Sequence, residues 1–190
     1  MAEIHNLFPT LIMTFDLSGH PANSRLLDLI TNTKTVNHAL VGNGTSTYNE
    51  KTKNSFLSNP IINDFTSTIQ DCINQYTAQS GIQNCSIKNS WFNIMNENGQ
   101  TILHRHEFST ISGAYYPVWD DENCNLIFRS PIAQCKMAEM SNGSQTIYNM
   151  NENEIPGGPG KLILFPSYLE HYTKQNKSKN RIVVSFNAFH

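Results

Sequence analysis

The sequence has little charge and lacks the features typical of membrane or nucleic-acid-binding proteins. Its formal net charge is -2 and its pI is near 6.4, so neither nucleic acid nor an anionic membrane is expected as a partner. No apolar run is long enough to cross a bilayer. The N-terminus also lacks the basic start and apolar stretch of a secretion signal. We therefore expect a cytoplasmic protein.

The cysteines show no metal-binding or disulfide pattern. There are four of them and none forms a Cys-x-x-Cys pair, so reduced thiols fit better than a zinc knuckle or a disulfide framework. A chain of 190 residues can bury a core without either device. We expect a single domain over residues 1–190, with an N-terminal strand and supporting helices (1–85) and a C-terminal core (86–190).

The N-terminal part carries two helical patterns. Apolar residues at helical spacing predict a helix over 21–30. A second, longer amphipathic helix is predicted from Pro60, which suits a first helical turn, to Gly81. The segment 36–55 between them is polar and rich in Gly, Asn and Thr, so we expect it to be irregular.

Short strand-like segments separated by turn residues dominate the C-terminal part. Without helical patterns between them, such strands indicate a sandwich or barrel. The predicted fold is therefore mainly β with N-terminal helices. The predicted strands are 86–95, 101–106, 109–116, 125–128, 146–150, 161–165 and 181–189.

Two histidines stand two residues apart within the predicted strand 101–106. Because strand side chains alternate faces, His104 and His106 should point to the same side, where each imidazole can offer a lone pair to one metal ion. His171, which follows the apolar run 161–165, is the candidate third ligand. The other four histidines are expected to be ordinary polar residues, and Trp91 a core residue.

An arginine follows the distal histidine by ten residues. Arg181 begins a predicted strand in which Arg181, Val183, Ser185 and Asn187 share one face. A planar, always-charged guanidinium suits a carboxylate partner. A His-x-His pair, a distant His and a strand-borne Arg together indicate a metal centre beside an anion-binding group.

As a set, these motifs resemble the double-stranded β-helix (jelly roll, cupin-like) of the iron(II)- and 2-oxoglutarate-dependent dioxygenases. The similarity covers roughly residues 86–190. It is closest to the prolyl-hydroxylase-like branch and, within that, to a group of oxygenases from marine bacteria and their phages, so a phage-encoded chain would act in the host cytoplasm. The segments that carry the resemblance are 90–95, 104–106, 112–116, 125–128, 160–167, 169–171 and 181–187.

The resemblance implies an enzyme that couples oxidative decarboxylation of 2-oxoglutarate to hydroxylation of a small-molecule, prolyl or peptidyl substrate, with dioxygen as cosubstrate. It implies iron(II) ligation by the catalytic residues His104, His106 and His171. Substrate contacts would come from the loops 41–53 and 142–160, and a homodimer is compatible with this architecture. The candidates for binding 2-oxoglutarate are Arg181, Tyr116 and Ser185, and also Asn93 and Asn187, which could instead satisfy buried backbone groups.

Residue 106 departs from the family pattern, which is His-x-Asp or His-x-Glu with a distant His. Three neutral imidazoles would leave iron(II) one charge more positive, which favours a dianionic cosubstrate and leaves the identity of the metal open. The adjacent Glu107 should face away from the site. Two alternatives stay open: a cupin-type three-histidine metalloenzyme without 2-oxoglutarate, against which Arg181 argues, and a non-catalytic jelly-roll binding module.

Overall fold

Two antiparallel sheets form the body of the protein, whose computed structural model describes residues 2–50, 54–132 and 144–190. The strands are β1 (Met13–Asp16), β2 (Val36–His38), β3 (Val41–Ser46), β4 (Ser86–Thr101), β5 (Ile111–Tyr116), β6 (Leu126–Arg129), β7 (Glu152–Ile155), β8 (Lys161–Pro166), β9 (His171–Thr173) and β10 (Arg181–Phe189). In the larger sheet the order is β1-β8-β5-β10-β4-β3-β2, and in the smaller it is β7-β6-β9. This two-sheet jelly roll confirms the predicted fold class.

Two α-helices precede the core strands, α1 (Asn23–Asn32) and α2 (Asn63–Ser80). A 3-10 turn that starts at Pro60 leads into α2, and the helix ends at Gly81, whose φ of 71° gives the left-handed conformation that glycine adopts easily. Both predicted helices are confirmed. Within the described ranges, no helix is long and apolar enough to span a membrane.

The large sheet is buried on both faces, which explains its continuous apolar runs. In β8, Leu162 and Leu164 pack in a cluster with the helices, whereas Ile163 and Phe165 pack toward the small sheet. The helices therefore cover the outer face of the large sheet. The inner face is left to form the space between the sheets.

The prediction that residues 36–55 are irregular is wrong for Val36–His38 and Val41–Ser46. β2 and β3 lie there, and β3 pairs with β4, with Val41 opposite Thr101 and Ser46 opposite Asn93. The pairing is possible because β4 runs for 16 residues, well past the predicted end at 95, and offers a long edge of backbone hydrogen-bonding groups. Ladder formation thus overrides weak local strand propensity.

Two other predicted strands are also wrong. In the segment 101–106 only Thr101 belongs to a regular strand, because β4 ends there. Residues 147–149 form a turn, in which the Asn149 side chain accepts a hydrogen bond from the Thr146 backbone at 2.6 Å. The local strand begins later, at β7.

Candidate metal centre

A cavity of about 470 Å³ lies between the two sheets. Alternate residues of the neighbouring strands β4 and β10 form one of its walls. The strands pair so that Asn93 lies opposite Val183 and Trp91 lies opposite Ser185. The residues predicted for the site all line this cavity: His104, His106, His171, Arg181, Tyr116, Ser185, Asn93 and Asn187.

Backbone pairing, rather than strand alternation, brings the three histidines together. His104 and His171 form an isolated antiparallel bridge, with N–H···O distances of 3.0 and 2.9 Å. The backbone N–H of His106 donates to the carbonyl oxygen of Ser167 at 3.0 Å. The ring centroids lie 4.3 to 5.2 Å apart. The expected convergence is present, although its cause is not the predicted regular strand.

Hydrogen bonds fix the tautomer of each imidazole. The Nδ1–H groups of His104 and His171 donate to the carbonyl oxygens of Ile102 and Leu169, at 2.8 and 2.9 Å. Nδ1–H of His106 donates to Oδ1 of Asn187 at 2.6 Å. Since carbonyl and amide oxygens can only accept, the hydrogen of each neutral ring is on Nδ1 and the lone pair is on Nε2.

Burial keeps these three rings uncharged. It lowers the pKa of His104, lowers that of His171 well below its usual value, and lowers that of His106 to about 4. Other histidines add to the lowering of these pKa values by charge repulsion: His38 acts on His104, and His104 acts on His106 and His171. Three neutral nitrogen donors are therefore available near pH 7.

The donor set fits a transition-metal ion. Nε2 of His104 and Nε2 of His106 are 3.3 Å apart, and the ligand atoms of all three histidines lie within 4.8 Å of one another. A metal at about 2.1 Å from each nitrogen separates its ligands by about 3.0–3.4 Å, and the nitrogens of His104 and His106 have this spacing. Imidazole nitrogen suits iron, zinc, copper and nickel. Glu107 is outside the cluster, exposed and paired with Arg105 at 3.3 Å, but it lines the cavity and so does not face away from the site as predicted.

Arg181 carries a buried positive charge at the other side of the cavity. It is 2 % exposed, and it donates from Nε to the Cys124 carbonyl oxygen at 2.9 Å and from Nη2 to the Tyr116 hydroxyl at 3.1 Å. In the described part of the chain it forms no ion pair with a carboxylate. Burial raises the pKa of Tyr116, although the Arg181 charge opposes that shift, so the phenol stays protonated.

The remaining predicted residues differ in how they are engaged. Ser185 lines the cavity, and Oδ1 of Asn93 is buried with no hydrogen-bond partner among the residues that the structure describes. Oδ1 of Asn187 instead accepts from His106 and, at 2.8 Å, from the hydroxyl of Ser112. The contacts of Asn187 are thus with a histidine of the cluster, which the sequence did not suggest.

Sequence reasoning missed several residues around the cavity. Trp91 lines it and stacks on His106, with ring centroids 5.7 Å apart and planes at 25°. His38, expected to be an ordinary polar residue, and Tyr48 form part of its wall. Trp91 could have been found from the alternation of β4, which puts it on the same face as Asn93. Nothing local pointed to His38.

Among the described residues, only the first of the two predicted substrate loops lines the cavity. From the first loop, Val41, Tyr48 and Glu50 line the cavity, whereas residues 51–53 lie outside the described part of the chain. From the second, none of the described residues 144–160 lines it, and 142–143 lie outside the description. Within the described residues, the cavity wall therefore comes from the β2–β3 region rather than from the second loop.

A comparison with protein-family models matches residues 89–187 to the family described as "Putative 2OG-Fe(II) oxygenase". The match covers just over half of the chain and includes every residue predicted for the site. No curated protein matches the chain.

Several solved structures share the fold. A prolyl-4-hydroxylase from Pseudomonas putida superposes with a TM-score of 0.61 at 10% identity, covering 94% of this chain and 92% of that one. HygX from Streptomyces hygroscopicus, with nickel, 2-oxoglutarate and hygromycin B bound, gives 0.62 at 9%, covering 94% and 82%. A Trichoplax adhaerens prolyl hydroxylase in complex with a hypoxia inducible factor peptide fragment gives 0.59 at 12%, covering 93% and 82%. Identities this low support the jelly-roll fold alone.

Proposed function

This chain belongs to the 2OG-Fe(II) oxygenase family, and we propose that it is an iron(II)- and 2-oxoglutarate-dependent dioxygenase that hydroxylates a small-molecule or peptidyl substrate. The observation that carries the proposal is Arg181, a buried guanidinium without a carboxylate partner among the described residues, in the same cavity as three neutral imidazoles. Buried charges in proteins are normally paired or bind ions. A small dianion that reaches both the arginine and a metal satisfies this requirement.

His104, His106 and His171 would hold the iron(II) through their Nε2 atoms. The ligands are neutral, so the ion keeps its two positive charges, and Arg181 adds a third to the cavity. Dianionic 2-oxoglutarate would reduce this total to one. The charge balance therefore favours a doubly charged cosubstrate over a neutral one.

Arg181 and Tyr116 would bind the distal carboxylate of 2-oxoglutarate. The hydroxyl oxygen of Tyr116 accepts from Arg181, so its own hydrogen remains available to a carboxylate oxygen. The guanidinium is held by the Cys124 carbonyl, which leaves further N–H groups for the anion. Ser185, four residues along the same strand face, adds a hydroxyl, and Asn93 adds an amide.

The bound iron(II) and 2-oxoglutarate supply the chemistry of this family, in which oxidative decarboxylation of the oxoacid is coupled to hydroxylation of a C–H bond. The protein supplies position and exclusion of water. Phe165 packs edge-on against His171 at 4.8 Å, and Phe128 lies 6.0 Å from the same ring. This apolar packing limits access of water to the metal ligands from that side.

The substrate would enter beside the β2–β3 region. His38, Leu40 and Tyr48 line the cavity there, away from the strand that carries Arg181. HygX with hygromycin B and the Trichoplax enzyme with its peptide show that this fold accommodates both kinds of ligand. We therefore propose a small-molecule or peptide substrate without choosing between them.

A cupin-type metalloenzyme that works without 2-oxoglutarate is the second candidate. The absence of a carboxylate from the cluster, as far as the chain is described, favours it. Such an enzyme has no use for a buried arginine across the cavity, so Arg181 makes it the weaker proposal.

An anaerobic titration tests the choice. Purified metal-free protein is titrated with iron(II) and then with 2-oxoglutarate while the weak visible charge-transfer absorption of the chelate is followed. Wild type is compared with Arg181→Met and with a matched surface variant, Arg129→Met, whose side chain is 47% exposed. We expect the band in wild type and in Arg129→Met. Arg181→Met should need about 10- to 150-fold more 2-oxoglutarate, from about 1.5–3 kcal/mol for a charged hydrogen-bonded pair.

The outcomes separate the candidates. Iron binding without a band at any 2-oxoglutarate concentration would favour the cupin-type enzyme. No iron binding would leave the non-catalytic binding module. A band that is equally sensitive to 2-oxoglutarate in wild type and Arg181→Met would remove Arg181 from the proposed site.

A further inference from the structure

His106 differs from the other two histidines of the cluster in what holds its ring. Nδ1–H of His104 and of His171 each donates to a carbonyl oxygen two residues earlier in its own segment, so local backbone fixes those rings. Nδ1–H of His106 donates to the side chain of Asn187, 81 residues further along the chain. The orientation of this ring therefore depends on a side chain of β10.

Asn187 is itself held by a buried chain of hydroxyl groups. Ser112 donates to its Oδ1 at 2.8 Å, and the hydroxyl of Ser167 lies 2.8 Å from that of Ser112. Because Ser112 has one hydroxyl hydrogen and gives it to Asn187, Ser167 must donate to Ser112. Both serines are 0% exposed, so water does not compete for these bonds. These two hydrogen bonds keep the amide oxygen of Asn187 turned toward His106.

Trp91 restrains the same ring from its face. The indole and imidazole centroids are 5.7 Å apart with planes at 25°. The hydrogen bond to Asn187 lies at the ring edge and opposes rotation, while the stacked indole opposes tilting. With both contacts in place, Nε2 of His106 lies 3.3 Å from Nε2 of His104.

We propose that Asn187 is a positioning residue that selects the Nδ1–H tautomer of His106 and so turns its Nε2 lone pair toward the metal. The inference rests on the metal centre proposed above. An amide oxygen accepts only, so it stabilises the tautomer that carries hydrogen on Nδ1. In the opposite tautomer Nε2 carries the hydrogen and cannot bind a metal. Groups that orient a ligand in this way raise metal affinity without touching the ion.

Two substitutions at Asn187 separate acceptor function from shape. Asn187→Leu removes the acceptor at similar size, and Asn187→Asp keeps an acceptor. Asn125→Leu is the matched control, since Asn125 does not line the cavity but also makes side-chain hydrogen bonds, to Glu154 and to the backbone of Gly157. Zinc(II) affinity is measured by competition with a chelator, and the His106 tautomer by nitrogen-15 NMR of the metal-free proteins.

We expect Asn187→Leu to bind zinc(II) about 10- to 100-fold more weakly and to lose the preference for the Nδ1–H tautomer. Asn187→Asp and Asn125→Leu should keep both properties. Equal zinc(II) affinity in wild type and Asn187→Leu would overturn the positioning role while the proposed function stands. Equal losses in Asn187→Leu and Asn187→Asp would also overturn it, because shape alone would then explain the effect.

The tautomer measurement keeps the two proposals distinguishable. If wild type binds no zinc(II) or iron(II), the proposed metal centre fails, and the NMR of the metal-free protein still decides whether Asn187 selects the tautomer. If Asn187→Leu does not fold, Ser112→Ala carries the test, because it deletes only the hydroxyl that anchors the amide. We expect a mixture of His106 tautomers in that variant, and an unchanged tautomer would overturn the inference.

Discussion

Replacing Arg181 by methionine tests whether its buried charge binds a ligand or stabilises the fold. The guanidinium is 2 % exposed and has no carboxylate partner among the described residues. It therefore carries the desolvation cost of a buried ion, which is several kcal/mol even after relaxation. In its favour are hydrogen bonds to Cys124 and Tyr116, each contributing about 1.5–3 kcal/mol, and its position 5.0 Å from the buried Tyr116 ring, worth about 2 kcal/mol for a desolvated pair.

These opposing contributions to the free energy of unfolding are of similar size, and the substitution adds a further, stabilising contribution. A buried methionine side chain contributes about 1.5–3 kcal/mol through apolar burial. We therefore expect the free energy of unfolding of metal-free Arg181→Met to be unchanged or higher by up to about 3 kcal/mol. For a chain of this length that is a rise in Tm of at most about 10 °C. The same variant should bind 2-oxoglutarate poorly, so stability and cosubstrate binding move in opposite directions.

Thermal unfolding of the metal-free proteins, followed by circular dichroism without added oxoacid, measures this difference. Leu164→Ala is the benchmark, because Leu164 is 0% exposed in the middle of β8. Its loss of about 2.7–5 kcal/mol should lower Tm by about 5–20 °C. A fall of that size in Arg181→Met would refute the reasoning, since it would show that the guanidinium stabilises the fold.

Three further substitutions test other parts of the structure. His171→Ala should abolish tight iron(II) binding in an anaerobic titration, whereas His38→Ala, in the same cavity but outside the cluster, should retain it. Tyr116→Phe removes one hydrogen bond to the charged carboxylate and should raise the 2-oxoglutarate concentration for half-saturation by about 10- to 150-fold; no change would exclude the phenol from the site. Gly113→Ala would drive a methyl group into the Phe186 ring and should lower stability by about 1–3 kcal/mol in urea unfolding, and an unchanged midpoint would show that the ring can move aside.

The local sequence pattern was sufficient to predict most strands of the C-terminal core and the candidate site residues. The apolar run of β8 and the alternation of β10 gave their strand bounds almost to the residue. The histidines and Arg181 were recognisable as candidates from residue type and spacing. Such signals are local, because periodicity and turn residues reflect which face of a segment is buried.

The pairing partners were decided only by the tertiary structure. Residues 36–46 became β2 and β3 because the long edge of β4 supplied hydrogen-bond partners that no local pattern announces. His104 and His106 meet His171 through backbone bonds between segments more than 60 residues apart.

The hydrogen bond from His106 to Asn187 likewise separates what the sequence predicts about the site from what only the tertiary structure determines. From residue type and spacing the sequence predicted His106 as a metal ligand, and it left open whether Asn187 belongs to the site or satisfies buried backbone groups. It could not determine that Asn187 holds His106, because this hydrogen bond joins residues 81 positions apart. The register of β10 against β5 places Asn187 opposite Ser112, and the buried pair Ser112 and Ser167 then orients the amide. Long-range register depends on how the whole sheet packs, and only the folded chain contains that information.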